Sequence, residues 1–243
     1  MKKLFVMSIA GLILSLGLGT HAASADGGSY NTNAKIKFSP SEDGTGPVDP
    51  EDPEVPVDPV DPTDPEGPNP GTSGPLSIDY ASSFQFGEQK ITSTDESYFA
   101  ALQTYSGSEK QGPNYVQVTD NRGTESGWSL NVVQNDQFKT ASGQELTGAE
   151  IRVSNAAINT ISESPIPTTV KPSFTLTPNT VENVVSAHNK EGAGTYVYHF
   201  GKGGTAAESV ELFVPGKSTK YADSYSTTLT WTLSDTPGND DNK

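Results

Sequence analysis

The chain has 243 residues, a formal net charge of −15 and only 32% hydrophobic residues. Such an acidic surplus excludes nucleic-acid phosphates as a target, because binding them needs a surplus of cations. Cysteine is absent, which excludes disulfides, thiol nucleophiles, Cys-ligated metals and a Cys-linked lipid. The 24 glycines and 18 prolines predict a chain rich in turns and loops.

Residues 1–25 read as a signal peptide. Met1-Lys2-Lys3 is a short positive region, Leu4 to Leu18 is apolar apart from Ser8 and Ser15, and Ala23-Ser24-Ala25 offers a small-x-small cleavage site. The apolar run falls short of the roughly 20 residues needed to span a bilayer. The mature form is therefore expected to begin near Asp26 and not to span the membrane. The C-terminus ends without an apolar tail or a Leu-Pro-x-Thr-Gly sorting signal, so retention at a surface is expected to be non-covalent. A cysteine-free exported chain also points to a Gram-positive surface.

Residues 26–39 form a short polar segment, with Lys35-Ile36-Lys37-Phe38 as a possible β fragment. Residues 40–75 follow as an acidic, proline-rich linker. Prolines recur at every third position from Pro47 to Pro68, which matches the three-residue turn of polyproline II. The stretch carries ten carboxylates and no cation, so it repels itself. The expectation is a disordered or polyproline II spacer, reaching on the order of 110 Å if extended.

Residues 76–243 change character. Leu76-Ser77-Ile78-Asp79-Tyr80, Ile151-Arg152-Val153, Phe174-Thr175-Leu176 and Val210 to Val214 alternate with period 2, the mark of a half-buried strand. The longest run puts Tyr225, Leu229, Trp231 and Leu233 on one face and Thr228, Thr230, Thr232 and Ser234 on the other. Turn residues separate the runs, and no sustained helical period appears. One or two helical turns over Thr180 to His188 are the most that the pattern allows. The expected fold is all-β, a β-sandwich or barrel-like domain.

The two tryptophans share one pattern, Trp128-Ser129-Leu130 and Trp231-Thr232-Leu233. In a strand the Trp and Leu of each triplet point the same way. With the terminal run from Tyr225 through Asp235 to Pro237, these motifs resemble the WxL-domain proteins, the small single-domain type of Gram-positive Firmicutes. Gly74 to Tyr80, Phe84-Gln85-Phe86-Gly87, Val214-Pro215-Gly216 and the acidic proline stretch extend the resemblance. It implies a secreted protein of the cell surface, attached non-covalently to the wall by binding peptidoglycan. It also implies two kinds of protein partner: WxL-interacting membrane-anchored proteins and other WxL proteins. An alternative reading is a surface-assembly component that binds such a membrane-anchored protein and is retained at the wall indirectly.

The candidate ligand- or partner-binding residues are Trp128, Leu130, Trp231, Leu233, Tyr225, Tyr196 and Tyr198. Two accounts compete for the tryptophans: both serve as core, or at least one stacks on a sugar or a partner. Tyr196, Tyr198 and Phe200 share a strand face, as core or as a sugar platform, while His199 points the other way, to the surface. Gly201-Lys202-Gly203-Gly204-Thr205 lacks the spacing of a phosphate loop and reads as a hairpin turn. No cofactor or metal site is expected. His188 and His199 neighbour no nucleophile signature; Glu150, Glu163 and Glu182 are available in principle for a glycosidase pair, whose spacing is spatial and not sequential, and the protein is read as a non-enzyme.

Overall fold

Period-2 alternation makes strands, and the computed structural model, which describes residues 27–237, holds fourteen of them with one short 3-10 helix. The expected signal peptide lies outside the described residues. The chain divides into two units, 1–37 and 38–243. In the first, residues 27–37 are exposed and carry no regular secondary structure.

The second unit is built from antiparallel sheets. One has the order β1 (Leu76–Ala81), β5 (Tyr115–Asp120), β12 (Gly194–Phe200), β8 (Ala156–Asn159). Another runs β10 (Phe174–Leu176), β7 (Glu150–Val153), β13 (Val210–Val214), β2 (Glu96–Phe99). A third runs β14 (Leu229–Ser234), β6 (Trp128–Gln134), β11 (Val181–Ala187), β9 (Thr169–Val170). A small ribbon pairs β3 (Gln103–Thr104) with β4 (Gln111–Gly112). The all-β expectation holds. The helical turns allowed over 180–188 do not form. That stretch is β11, whose Val184, Val185 and Ala187 are fully buried, and its β-branched residues favour a strand. Gly201 to Thr205 is not a hairpin turn either, because it joins β12 and β13, which lie in different sheets, and leads into the 3-10 helix Gly203–Glu208.

One core lies between the three large sheets, and Phe200 is its hub. The ring meets Tyr198 (5.3 Å), Phe84 (6.0 Å) and Phe174 (6.4 Å) edge-on, and lies nearly parallel to Trp231 at 6.4 Å and 18°. Tyr198, Phe174 and Trp231 come one from each of the three sheets, Phe84 from the loop after β1, and edge-to-face contacts at such distances add to simple burial.

The proline-rich stretch departs most from expectation. Residues 44–72 do not stand away as a spacer but fold against the outer face of the β1–β5–β12–β8 sheet. Polyproline II has no internal hydrogen bonds, so the amides between its prolines need partners. Asp49 caps a turn by accepting from the Glu51 amide, and the Asp49 and Val57 amides donate to Val55 and Pro47 carbonyls at 2.8 and 3.0 Å. The side chain of Gln117 then clasps this loop, accepting from the Val48 amide (2.8 Å) and donating to the Gly46 carbonyl (3.0 Å). Self-repulsion is relieved locally, because Lys110 pairs with buried Asp49 and Ser83 donates to Asp61. Val48 and Val57 pack on Tyr80, Tyr105, Tyr115 and Val197.

This strap explains a second departure. His199 was expected at the surface, yet it is buried beneath the covered face, with Nδ1 2.7 Å from the Gly201 carbonyl. Burial holds its pKa below the ordinary value. On the same face a bulge between Ile78 and Tyr80 presents both Asp79 and Tyr80. Burial raises the Asp79 pKa although Thr119, Ser77 and Gln117 donate to the carboxylate.

Candidate functional site

The two Trp-x-Leu motifs lie about a hundred residues apart in sequence and side by side in space. β6 and β14 pair antiparallel, with Leu130 opposite Leu233 and Val132 opposite Trp231. On the far side of β6, Ala187 of β11 lies opposite Trp128 and Val185 opposite Leu130. The inward face of this sheet is therefore apolar over most of its length, with Gln134 and Glu182 at one end.

Trp128 is 1% exposed, and its indole N–H donates to the Gly192 carbonyl at 2.9 Å. Tyr196 meets its ring edge-on at 6.1 Å. The fit around the indole depends on backbone without side chains. Gly192 has φ +78°, and a Cβ there would lie 2.5 Å from Trp128 Nε1. Gly127, at φ +82°, passes too close to the Ala187 carbonyl for any Cβ. Arg122 braces this corner. It chelates buried Asp120 through Nε (2.9 Å) and Nη2 (2.7 Å), and donates to the Gly127 carbonyl at 2.7 Å. Hydrogen bonding to Asp120 raises the Arg122 pKa further. Glu191 closes the turn before Gly192. Burial acts to raise its pKa, but hydrogen bonds from the His188 and Thr168 amides and the Thr168 hydroxyl prevail and lower it.

The other candidates sort by burial. Leu130, Tyr196 and Tyr198 are buried, with the two hydroxyls donating to the Ser164 carbonyl (2.8 Å) and the Lys171 carbonyl (2.6 Å). Burial, with Glu182 nearby, raises the Tyr198 pKa. Trp128, Leu130, Tyr196 and Tyr198 thus have no face free for a polymer, and each packs the core. Trp231, Leu233 and Tyr225 are half-buried and also pack against it, and the Tyr225 hydroxyl accepts from the Tyr221 amide at 2.9 Å. Of the carboxylates weighed for glycoside cleavage, Glu150 pairs with Arg152, Glu182 pairs with Lys171, and Glu163 is exposed. A cleft of about 320 Å³ lies between the strap and β1, walled by Pro59, Pro68, Asp58, Asp79 and Tyr80.

The open surface of the motif sheet is its outward face. There the register stacks Thr230–Val133–Val181, Thr232–Asn131–Asn183 and Ser234–Ser129–Ser186 across β14, β6 and β11. None of these nine side chains ionises. The third row is closed over, with the Ser129 hydroxyl donating to the Thr236 carbonyl, but the first two rows are accessible. Sequence reasoning identified the polar side of β14. It missed Asn131, Asn183, Arg122 and Gly192, because nothing local in their surroundings announces a site. For Gly192 the only signal is its place in the turn sequence Gly192-Ala193-Gly194.

The two Trp-x-Leu strands of this all-β unit thus pair side by side, β14 at the end of its sheet and β6 next to it. A family model of the WxL domain, described as a surface cell wall-binding domain, matches residues 25–237, and the chain belongs to that family. The match takes in the strap as well as the sheets. Searches of curated proteins and of solved structures return no significant match. Among the described residues no helix is long and apolar enough to cross a membrane.

Proposed function

We propose that this chain is a non-catalytic secreted protein, held on the cell surface by non-covalent binding of its WxL domain to peptidoglycan. The observation that carries the reading is membership, across residues 25–237, of a family of surface wall-binding domains. Residues 1–25 act as the export signal, and the mature chain starts near Asp26. Residues 38–243 carry a net charge of −18. Anionic wall polymers would repel such a unit, so attachment rests on hydrogen bonds and apolar contact and resists salt.

A second reading has one observation in its favour. β14 is an end strand of its sheet among the described residues, a position at which a strand of a WxL-interacting membrane-anchored protein or another WxL protein can be added. Sedimentation separates the two readings. Residues 26–243 are mixed with protein-stripped walls at low and moderate salt. Pelleting that survives salt supports direct binding. A chain that stays in solution until a membrane-protein fraction is returned supports the assembly reading. Pelleting lost in moderate salt refutes the hydrogen-bonding basis.

A further inference from the structure

We infer that the outward face of the β14–β6–β11 sheet binds the N-acetylated sugar chains of the wall; this rests on the wall-binding reading above. The face stands apart from the rest of the unit. Residues 38–243 carry a net charge of −18, yet no outward position of these three strands is ionisable. A neutral polar ligand avoids both repulsion and the cost of stripping water from charges there.

The polar groups on the face are held in place. The Ser186 hydroxyl donates to Asn183 Oδ1 at 3.0 Å, and Asn183 Nδ2 donates to Asn131 Oδ1 at 3.0 Å. This relay directs the Asn131 carbonyl toward β11 and leaves its NH₂ group without a protein acceptor among the described residues. Thr232 sits opposite Asn131 on β14, exposed, and its hydroxyl also has no protein partner among the described residues. One step along the strands, about 7 Å, Val181 lies opposite Val133. Val181 is 65% exposed, a β-branched side chain in open solvent. The ensemble is an amide donor, a hydroxyl that donates and accepts, and an apolar pair beside them. An acetamido group presents a carbonyl acceptor, an N–H donor and a methyl group, and a pyranose adds an apolar C–H face. The two sets are complementary. The tryptophans then serve the site from behind, by fixing the strands that carry it.

The test uses residues 26–243 on chitin beads, a polymer of N-acetylglucosamine, and on cellulose beads, which lack the acetamido group, with stripped walls in parallel. Val181→Glu and Thr232→Lys place charge on the face at exposed positions. Phe99→Glu, on the sheet of β10, β7, β13 and β2, is the control. All variants are first matched to wild type by thermal melting. Retention on chitin but not cellulose, weakened about tenfold or more in both face variants and unchanged in the control, is expected. Equal retention on cellulose, or wall pelleting without chitin binding, overturns the ligand class. Wild-type pelleting by both face variants overturns the site and leaves wall binding intact. Wild type that stays in solution with stripped walls overturns the underlying reading, and this inference with it.

Discussion

Replacing Trp128 tests whether the WxL signature is a packing device or a contact surface. The side chain is 1% exposed and its N–H serves the Gly192 carbonyl. Removing so large a buried ring costs about 3–5 kcal/mol, by lost transfer energy and by the cavity left behind. Trp128→Phe keeps most of the volume but strands the Gly192 carbonyl, which costs about 1–3 kcal/mol. For a unit of this size each kcal/mol lowers Tm by roughly 2–4 °C, so Trp128→Ala should melt about 6–20 °C below wild type and Trp128→Phe between the two. Far-UV circular dichroism is the suitable probe, since the substitution deletes one of two fluorophores. Wall sedimentation is then run well below each variant's midpoint. Residual binding per folded molecule should equal that of wild type. A Trp128→Ala protein that melts with wild type would refute the packing argument. One that is folded yet no longer pellets would put the ligand at Trp128 despite its burial.

Other consequences are open to measurement. Gly192→Ala drives a methyl against Trp128 Nε1 and the Ala187 side chain at a positive φ, and should destabilise by about 1–3 kcal/mol in urea unfolding; an unchanged midpoint would contradict the geometry. The strap should be part of the folded unit. The amides of Val48, Val57 and Val60, which donate to Gln117, Pro47 and Thr104, should therefore exchange slowly with deuterium, whereas a free spacer would exchange at once. Burial depresses the His199 pKa below its ordinary 6.5, so the unfolded chain takes up that proton first as pH falls. The His199 contribution to stability is therefore lost as pH drops below about 6.5. Comparing urea midpoints at about pH 7.5 and 5.5, His199→Gln should lose less than wild type; equal losses would mean that His199 titrates alike in both states.

Much of the fold is legible from local pattern. Leu229, Trp231 and Leu233 alternate with Thr230, Thr232 and Ser234, and a half-buried strand follows because the side-chain period of a strand is two. The same rule yields β7, β10 and β13, and β1 as far as the bulge that turns Tyr80 to the opposite face from Ile78, and the two Trp-x-Leu motifs mark the family. β11 escaped, because Val184 and Val185 are both buried at a register shift, and a bulge breaks the alternation on which the reading depends.

What only the tertiary structure decided depends on partners remote in sequence. Proline spacing predicts a stiff local backbone but says nothing of where its unpaired amides find acceptors; Gln117, some seventy residues on, supplies the clasp that turns a spacer into a strap. The same covering buries His199, which by alternation alone faces solvent. Trp231 is half-buried because Phe200 stacks on it from another sheet, and β14 is an edge because of strand order, which no local pattern encodes. The uncharged outward face exists only when three strands from distant parts of the chain lie side by side. Period and propensity act between neighbours along the backbone, whereas a binding surface is made by contacts across it.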